Sequence, residues 1–221
     1  MASPPCGVDT PRCSAATNYH KATPPCCIEH QVAVMDHVAS VMGELDIAWW
    51  ADYGTLLGAV RNQGVIPHDK DGDIGMMGEG WERLLSYRPE VPWAERKGRR
   101  GLTNMHRLID GFAWVHMPER NASEWGGGWM LKVRRSEANT NNVDIFPWWR
   151  KDDGTYYRKR YIGCDRYKGR EFPESSLLPL SKIEWEGRMI PAPADPEWFC
   201  LHRYGSAWRT PLRRNNDGRR R

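Results

Sequence analysis

The chain has 221 residues, of which 40% are hydrophobic and 12 are tryptophan, enough for one sizeable domain with its own core. No window of about 18 consecutive apolar residues occurs, so we expect no transmembrane helix. The N-terminus also lacks the charge and apolar pattern of a signal peptide. The net charge of +4 comes from residues 209–221, which hold six arginines and one aspartate. The rest of the chain has no basic stripe, which argues against nucleic acid as a partner, and the tail is expected to be disordered.

The first 30 residues form a segment of their own. Residues 1–30 are rich in Pro, Ser, Thr and Cys and have no periodic apolar pattern, which indicates a loop that needs a cross-link to be stable. Apolar residues then recur every three or four positions and predict an amphipathic helix over 28–45. After it we predict a strand at 47–54, a short helix at 55–62 and a strand at 71–77.

The second half of the chain alternates irregularly between strands and helices. We predict a short helix at 80–87, and strands at 112–118, 130–135, 142–148 and 155–162. A hairpin follows at 183–193 with its turn at Glu186–Gly187, and then a helix at 195–205 with Asp195 as N-cap, Pro196 at its first position and Gly205 as its stop. The pattern predicts an α+β (mixed α/β) domain over 28–208, built on one sheet flanked by helices.

The stretch "IPHDKDGDIGMM" places Asp69, Asp71 and Asp73 two residues apart, where the chain enters an apolar strand. Residues i and i+2 of a strand share one face, so Asp71 and Asp73 form a pair that can chelate a hard cation such as Mg²⁺ or Mn²⁺. Asp144 stands within another apolar strand, where a carboxylate needs a partner or a metal. These acids are the candidate catalytic residues, with Asp71, Asp73 and Asp144 as the metal ligands.

Two less specific interpretations compete with this one. A calcium loop of the EF-hand type needs a glutamate at its twelfth position, and counting from Asp69 that position is Gly80. A solvated acidic turn is less consistent with the apolar residues on both sides of the stretch.

Gly54 and Thr55 lie at the start of the predicted helix that precedes the acidic strand. A helix N-terminus with small residues is a natural seat for phosphate, because its free N–H groups and dipole favour negative charge. A phosphate seat, adjacent metal carboxylates and a third acid on a neighbouring strand make up the nucleotidyltransferase arrangement. In that arrangement metal ions stabilise the attacking and leaving oxygens of an in-line displacement at phosphorus.

The run "DYGTLLGAVRNQGVIPHDKDGDIGM" resembles the signature of the LicD/fukutin family of phosphotransferases, and the resemblance continues through "NNVDIFPWW" to about Pro211. Asp69, Asp71 and Asp73 match the family's D-x-D-x-D motif, and Asp144 matches its second acidic motif. His68 departs from the family, which usually has a tryptophan there.

The resemblance implies transfer of an alditol phosphate, such as ribitol 5-phosphate, from a CDP-linked donor to a glycan hydroxyl with release of CMP. CDP-ribitol, CDP-glycerol and CDP-choline are the donors that it suggests. Other possibilities are phosphocholine transfer, a nucleotidylyltransferase that releases pyrophosphate, and a non-enzymatic module that binds zinc or calcium. The compartment would be the Golgi or secretory lumen if the chain is part of a longer protein, and the cytoplasm otherwise.

Four cysteines occur in the N-terminal segment, at Cys6, Cys13, Cys26 and Cys27. Four thiolates in a segment without its own core suit a structural Zn²⁺, but the spacing alone favours zinc and disulfides equally. A member of the LicD/fukutin family carries a zinc-binding loop with a similar cysteine spacing, so the resemblance implies zinc. Cys164 and Cys200 are expected to be ordinary buried thiols.

Three basic residues are further candidates for binding the donor phosphates. Arg61 follows Gly54 along the same predicted helix, and Lys132 and Arg134 alternate onto one face of the strand before Asp144. Each of them can equally be a solvent-facing charge. The tryptophans are expected to be core residues for the most part, with Trp148 and Trp149 able to line a sugar or nucleobase pocket. His106, His116 and His202 have no ligand-like spacing.

Overall fold

The computed structural model describes residues 6–12, 22–97, 103–117, 130–158 and 171–211. The α-helices are Pro25–Glu44 (α1), Tyr53–Asn62 (α2), Trp81–Leu85 (α3), Glu174–Leu177 (α4) and Pro196–Tyr204 (α5), with a 3₁₀ turn at Gly78–Gly80. The strands are Trp49–Ala51 (β1), Asp71–Met77 (β2), Ala94–Lys97 (β3), Thr103–Ile109 (β4), Phe112–Met117 (β5), Met130–Arg134 (β6), Asn142–Arg150 (β7), Thr155–Tyr157 (β8), Phe172–Pro173 (β9), Ser181–Trp185 (β10) and Arg188–Ala192 (β11).

One large sheet organises the domain, and its main path runs in the order β1-β2-β7-β6-β5-β4-β3. Strands β2 and β7 pair in parallel, whereas the other pairs of the path are antiparallel. Strands β8 and β9 extend the sheet from β7, and β10 and β11 form a separate hairpin. The mixed α/β class predicted from the sequence is therefore confirmed.

Helix α1 packs on one face of the sheet through the apolar stripe that predicted it. Val34, Met35, Val38, Val41 and Met42 are each no more than 1% exposed. The facing residues of β2, β6 and β7 are also fully buried, among them Ile74, Met76, Leu131, Val133, Val143 and Ile145. Since side chains alternate along a strand, the residues between these apolar ones point to the opposite face of the sheet.

The C-terminal elements follow their local signals closely. The β10–β11 hairpin turns at Glu186–Gly187, where both residues have positive φ angles of 48° and 71°. Helix α5 begins at Pro196 behind Asp195, whose side chain accepts a hydrogen bond of 2.9 Å from the Trp198 N–H, and it ends at Gly205 with φ 79°. These features confirm the predicted hairpin and final helix.

Three strands, β3, β4 and the two-residue β9, were not predicted from the sequence. All four residues of β3 are exposed, so this edge strand has no apolar alternation, and β4 has a buried side chain only at Arg107 and Ile109. The strand predicted over 155–162 is β8 as far as Tyr157, and Arg158 is no longer part of a strand. Residues 159–162 lie outside the described residues, as does the basic tail beyond residue 211. In the described part of the chain, no helix has the length and apolar character needed to cross a membrane.

Candidate active site

The start of helix α2 is fixed directly to strand β2. Asp52 is the N-cap residue, and its Oδ1 accepts a hydrogen bond from the Tyr53 N–H at 2.8 Å. The next N–H, of Gly54, donates to Oδ2 of Asp73 at 3.0 Å, and the Thr55 hydroxyl accepts from the Asp73 N–H at 2.7 Å. The predicted phosphate seat therefore lies against the predicted metal carboxylates.

The two acidic motifs stand side by side in the parallel pair β2–β7. Asp73 pairs with Asp144 in the register, and Asp71 pairs with Asn142. Paired positions on neighbouring strands place their side chains on the same face, so all of these polar groups lie on the face opposite α1. Gly72, between the two aspartates, faces Val143 and Met35 instead.

Strand β6 adds positive charge to this face. Lys132 pairs with Asp144 in the register, and its Nζ lies 2.8 Å from Oδ1 and 3.1 Å from Oδ2 of that carboxylate. Asn142 donates a second hydrogen bond to Oδ1 of Asp144 at 2.7 Å. Burial lowers the pKa of Arg134, and the charge of Asp144 acts in the opposite direction. Lys132 and Arg134 therefore alternate onto the acidic face.

Burial, together with the neighbouring negative charges, raises the pKa values of the carboxyl groups in the D-x-D-x-D segment. Burial, followed by the charges of Asp144 and Asp69, raises the pKa of Asp71 to about 7. Burial, followed by the charge of Asp71, raises the pKa of Asp73 well above its usual value. Burial also raises the pKa of Asp69, whose carboxyl is hydrogen-bonded to that of Asp71. A divalent cation would remove this repulsion.

The donor chemistry of these side chains fits Mg²⁺ or Mn²⁺, which prefer carboxylate oxygens. As the side chains stand, however, no group of three or more His, Cys, Asp or Glu among the described residues is arranged to hold a metal ion. Both oxygens of Asp144 are bound by Lys132. Asp144 would have to exchange at least one of these contacts to join Asp71 and Asp73 as a metal ligand.

The N-terminal segment holds the loop that leads into β2. The Thr23 hydroxyl donates a hydrogen bond of 2.6 Å to the carbonyl of Asp69, and the Thr23 N–H donates to that of Pro67. Arg12 donates to the carbonyl of Lys70 at 3.4 Å. The segment predicted to be a separate loop is therefore packed against the acidic site.

Three of the four N-terminal cysteines lie in the described part of the chain. The sulfur atoms of Cys6 and Cys26 are 2.9 Å apart, and Cys27 is buried at the start of α1. Cys13 lies outside the described residues. No zinc-binding group is formed among the described residues, so zinc stays a prediction.

A buried ion pair with a residue of α5 anchors the start of α2. Arg203 of α5 lies 2.9 Å from Oδ1 and 3.1 Å from Oδ2 of Asp52, and the two side chains are 2% and 0% exposed. Trp148 donates its Nε1–H to Oδ2 of Asp52 at 3.2 Å. The guanidinium of Arg203 also lies over the Tyr53 ring at 4.2 Å. Trp148 is thus a core residue that supports the helix start and does not line an open pocket.

The remaining predicted contact, Arg61, lies in the last turn of α2. It is about 10 Å along the helix axis from Gly54, and its charge acts on the thiol of Cys200 in α5. Its role in phosphate binding stays a prediction.

Asp52 and Arg203 were not predicted from the sequence as residues that support the site. Asp52 had a usable signal, because an aspartate directly before a helix is a favoured N-cap. Arg203, its partner on α5, had no such sequence signal, because the ion pair joins residues that are far apart in the chain.

The sequence comparisons identify the family. Residues 46–195 match the family model described as "LicD/FKTN/FKRP, nucleotidyltransferase domain". The match covers both acidic motifs and more than half of the chain. The chain therefore belongs to the LicD/FKTN/FKRP family of nucleotidyltransferase domains, as the resemblance suggested.

Curated relatives include two mammalian proteins named ribitol 5-phosphate transferase FKRP. The mouse protein is 29% identical over 185 residues, which are 83% of this chain and 33% of the mouse protein. The human protein is 28% identical over 210 residues, which are 90% of this chain and 38% of the human protein. This chain thus spans little more than a third of the length of these relatives.

Among solved structures, the lincosamide antibiotic adenylyltransferase LnuA matches with a TM-score of 0.43 and 13% identity, covering 78% of this chain and 85% of that one. A structural similarity of this size is too low to support a conclusion about function.

Proposed function

We propose that the chain catalyses metal-dependent transfer of an alditol phosphate, such as ribitol 5-phosphate, from a CDP-linked donor to a glycan hydroxyl, with release of CMP. The observation that supports this most strongly is the pairing of Asp73 with Asp144 beside the Gly54–Thr55 helix start. Membership of the family and the similarity to the two ribitol 5-phosphate transferases point to the transferred group.

The side chains have distinct roles in this proposal. Asp71, Asp73 and Asp144 would hold Mg²⁺ or Mn²⁺, which would stabilise negative charge on the phosphate oxygens. The acceptor hydroxyl oxygen forms a bond to the phosphorus of the alditol phosphate, and the bond from that phosphorus to the bridging oxygen of CMP breaks. Asp69 accepts the hydroxyl proton or contributes to a second metal site. The catalysis consists of positioning and charge neutralisation.

The donor's phosphates would lie against the first turn of α2, where Gly54 and Thr55 are located. Lys132 and Arg134 supply positive charge on the same face. A donor that draws Lys132 away from Asp144 would free that carboxylate for the metal. CDP-ribitol is the first choice of donor, with CDP-glycerol and CDP-choline as alternatives, and His68 is a candidate for setting the preference.

The domain organisation is part of the proposal. We propose that the Cys-rich segment 1–30 is cross-linked by Zn²⁺ through Cys6, Cys13, Cys26 and Cys27, that residues 28–208 form the catalytic domain, and that 209–221 form a basic tail. The loop predicted over 1–30 needs one correction, because helix α1 already begins at Pro25 and contains Cys26 and Cys27. The contacts of Arg12 and Thr23 with the loop before β2 support a structural connection between the proposed zinc site and the acidic site. Zinc would supply folding energy that this segment lacks on its own.

The decisive experiment is a screen of CDP-ribitol, CDP-glycerol and CDP-choline with glycan acceptors, measuring release of CMP with and without Mn²⁺. Metal-dependent CMP release supports the proposal, and the best donor identifies the transferred group. Pyrophosphate release from a nucleoside triphosphate would instead identify a nucleotidylyltransferase. Metal binding without turnover of any donor would identify a binding module.

Zinc is tested separately by elemental analysis of protein purified without a chelator. One zinc ion per chain is expected, and Cys26→Ser should remove it. A zinc-free protein with a disulfide-linked N-terminus would contradict the zinc assignment.

A further inference from the structure

Arg158 lies on an aromatic platform next to the acidic face. Its guanidinium carbon is 4.4 Å from the centroid of the Phe146 ring, and its Nη1 donates a hydrogen bond of 3.3 Å to the Tyr53 hydroxyl. The rings of Tyr53 and Phe146 meet edge to face at 5.1 Å. The three side chains therefore form one cluster that holds the guanidinium in a defined orientation.

The cluster is on the same side of the sheet as the carboxylates. Phe146 follows Asp144 by two positions on β7, so the two side chains share a face, about 7 Å apart along the strand. Tyr53 directly precedes Gly54, whose N–H is bonded to Asp73. Arg158 thus stands beside the helix start, next to the proposed metal site and not within it.

The backbone of Tyr53 supports a specific use for its ring. Its φ angle is 37°, a value in the left-handed region that side-chain-bearing residues rarely adopt. A glycine would adopt this conformation without strain. The tyrosine ring brings three contacts that glycine lacks, a hydroxyl for Arg158, an edge-to-face contact with Phe146 and a ring face for Arg203.

A cation at this place would add to the positive charge that Lys132 and Arg134 supply on the same face. A donor diphosphate would approach a face that already carries several carboxyl groups, and a single divalent ion cannot neutralise both the carboxylates and the diphosphate. Lys132 is engaged with Asp144. A guanidinium matches two phosphate oxygens at once through its planar fork of N–H groups.

We infer that Arg158 binds the diphosphate of the donor nucleotide, positioned for this contact by Tyr53 and Phe146. The inference deepens the proposed function and rests on it for the nature of the donor. It assigns the recognition of the phosphates to the protein as well as to the metal. The cytidine part of the donor would make no contact with the guanidinium.

Binding of CDP, cytidine and inorganic pyrophosphate in Mg²⁺ tests the inference, measured by calorimetry on the wild type and on Arg158→Gln. Arg158→Gln should weaken the binding of CDP and of pyrophosphate about ten- to a hundredfold and leave the binding of cytidine unchanged. Tyr53→Phe, which removes only the hydroxyl, should give a smaller loss with the same selectivity. Arg150→Gln is the matched control, because Arg150 pairs with Glu174 at an exposed site.

The outcomes separate the inference from the proposed function. The wild type could bind pyrophosphate but not CDP, with Arg158→Gln no longer binding pyrophosphate. That result would support the contact of Arg158 with the anion and contradict the proposal of a CDP-linked donor. Unchanged CDP binding in Arg158→Gln, an equal loss of cytidine, or no binding of either anion by the wild type would overturn the inference. Thermal unfolding of each variant verifies that the fold is retained.

Discussion

The backbone N–H of Gly54 donates a hydrogen bond of 3.0 Å to Oδ2 of Asp73, so the first turn of α2 is in direct contact with a carboxylate of β2. A β-carbon at position 54 would lie 2.6 Å from Oδ2 of Asp69 and 3.0 Å from Oδ2 of Asp73. This close approach explains why the second residue of the helix is glycine. It also means that the geometry of two carboxylates depends on the absence of one methyl group.

Gly54→Ala should therefore reduce turnover of the donor by about a hundredfold, because the two carboxylates must rotate away from the added methyl group. The fold should persist, since only the ends of flexible side chains have to move. CMP release and thermal unfolding measure the two effects. Gly43→Ala in α1 is the control, because a β-carbon there meets nothing within 4 Å. It should leave activity unchanged and stabilise the protein by about 0.5–1 kcal/mol.

Asp71→Asn and Asp73→Asn should each lower CMP release by at least about a hundredfold, because each removes a charged oxygen ligand of the metal. Neither change should destabilise the metal-free protein, since both relieve repulsion among buried carboxyl groups. Glu184→Gln, at an exposed position of β10, removes one negative charge elsewhere and should have no effect. Full activity in either aspartate variant would contradict the site assignment.

The metal-free protein should become less stable as the pH rises from about 4 to 7. The pKa of Asp71 is raised to about 7 in the folded state, whereas in the unfolded chain it is near its usual value. The folded state therefore binds more protons in this range, and the free energy of unfolding falls with pH by no more than about 4 kcal/mol from this group.

Urea unfolding in a chelator at pH 5 and pH 7.5 measures this pH effect. Burial lowers the pKa of His116 to about 4, which changes stability in the opposite direction, so the comparison must be made against Asp71→Asn. The variant should lack the part of the pH dependence that comes from Asp71. Mg²⁺ should stabilise the wild type more at pH 7.5 than at pH 5. An identical pH dependence in wild type and variant would show that Asp71 ionises normally.

Breaking the Asp52–Arg203 ion pair should destabilise the folded protein, because it leaves an uncompensated charge buried among aromatic rings. Arg203→Met should lower the free energy of unfolding by about 3–5 kcal/mol, and the double variant with Asp52→Asn should recover part of the loss. Urea denaturation measures both. Arg188→Met breaks the exposed pair with Asp36 and should cost less than about 1 kcal/mol.

The sequence predicted elements that have strong local signals. The stripe of α1, the hairpin turn at Glu186–Gly187 and the capped start of α5 all depend on residues within a few positions of one another. Strands β3 and β4 lacked such signals, because β3 is an exposed edge strand and the β4 side chains do not alternate cleanly.

The acidic segment could be predicted as a candidate site, since aspartates at spacing two share one face of a strand. Its surroundings were not predictable, because they depend on pairing between distant parts of the chain. The bond between Lys132 and Asp144 follows from the register of β6 and β7, and the contact of Arg158 with Tyr53 brings β8 to α2. No spacing within the sequence encodes either pairing.

The parallel pairing of β2 with β7 also has a consequence for how the protein folds. The strands β3 to β6 lie between these two in the chain, so the contact of Asp73 with the Asp144 strand has a large sequence separation. Contacts of this kind form late, after loop-closure entropy has been overcome. We expect Mg²⁺ to slow unfolding far more than it accelerates refolding, because a nascent chain that has not yet reached β7 possesses only half of the chelating site.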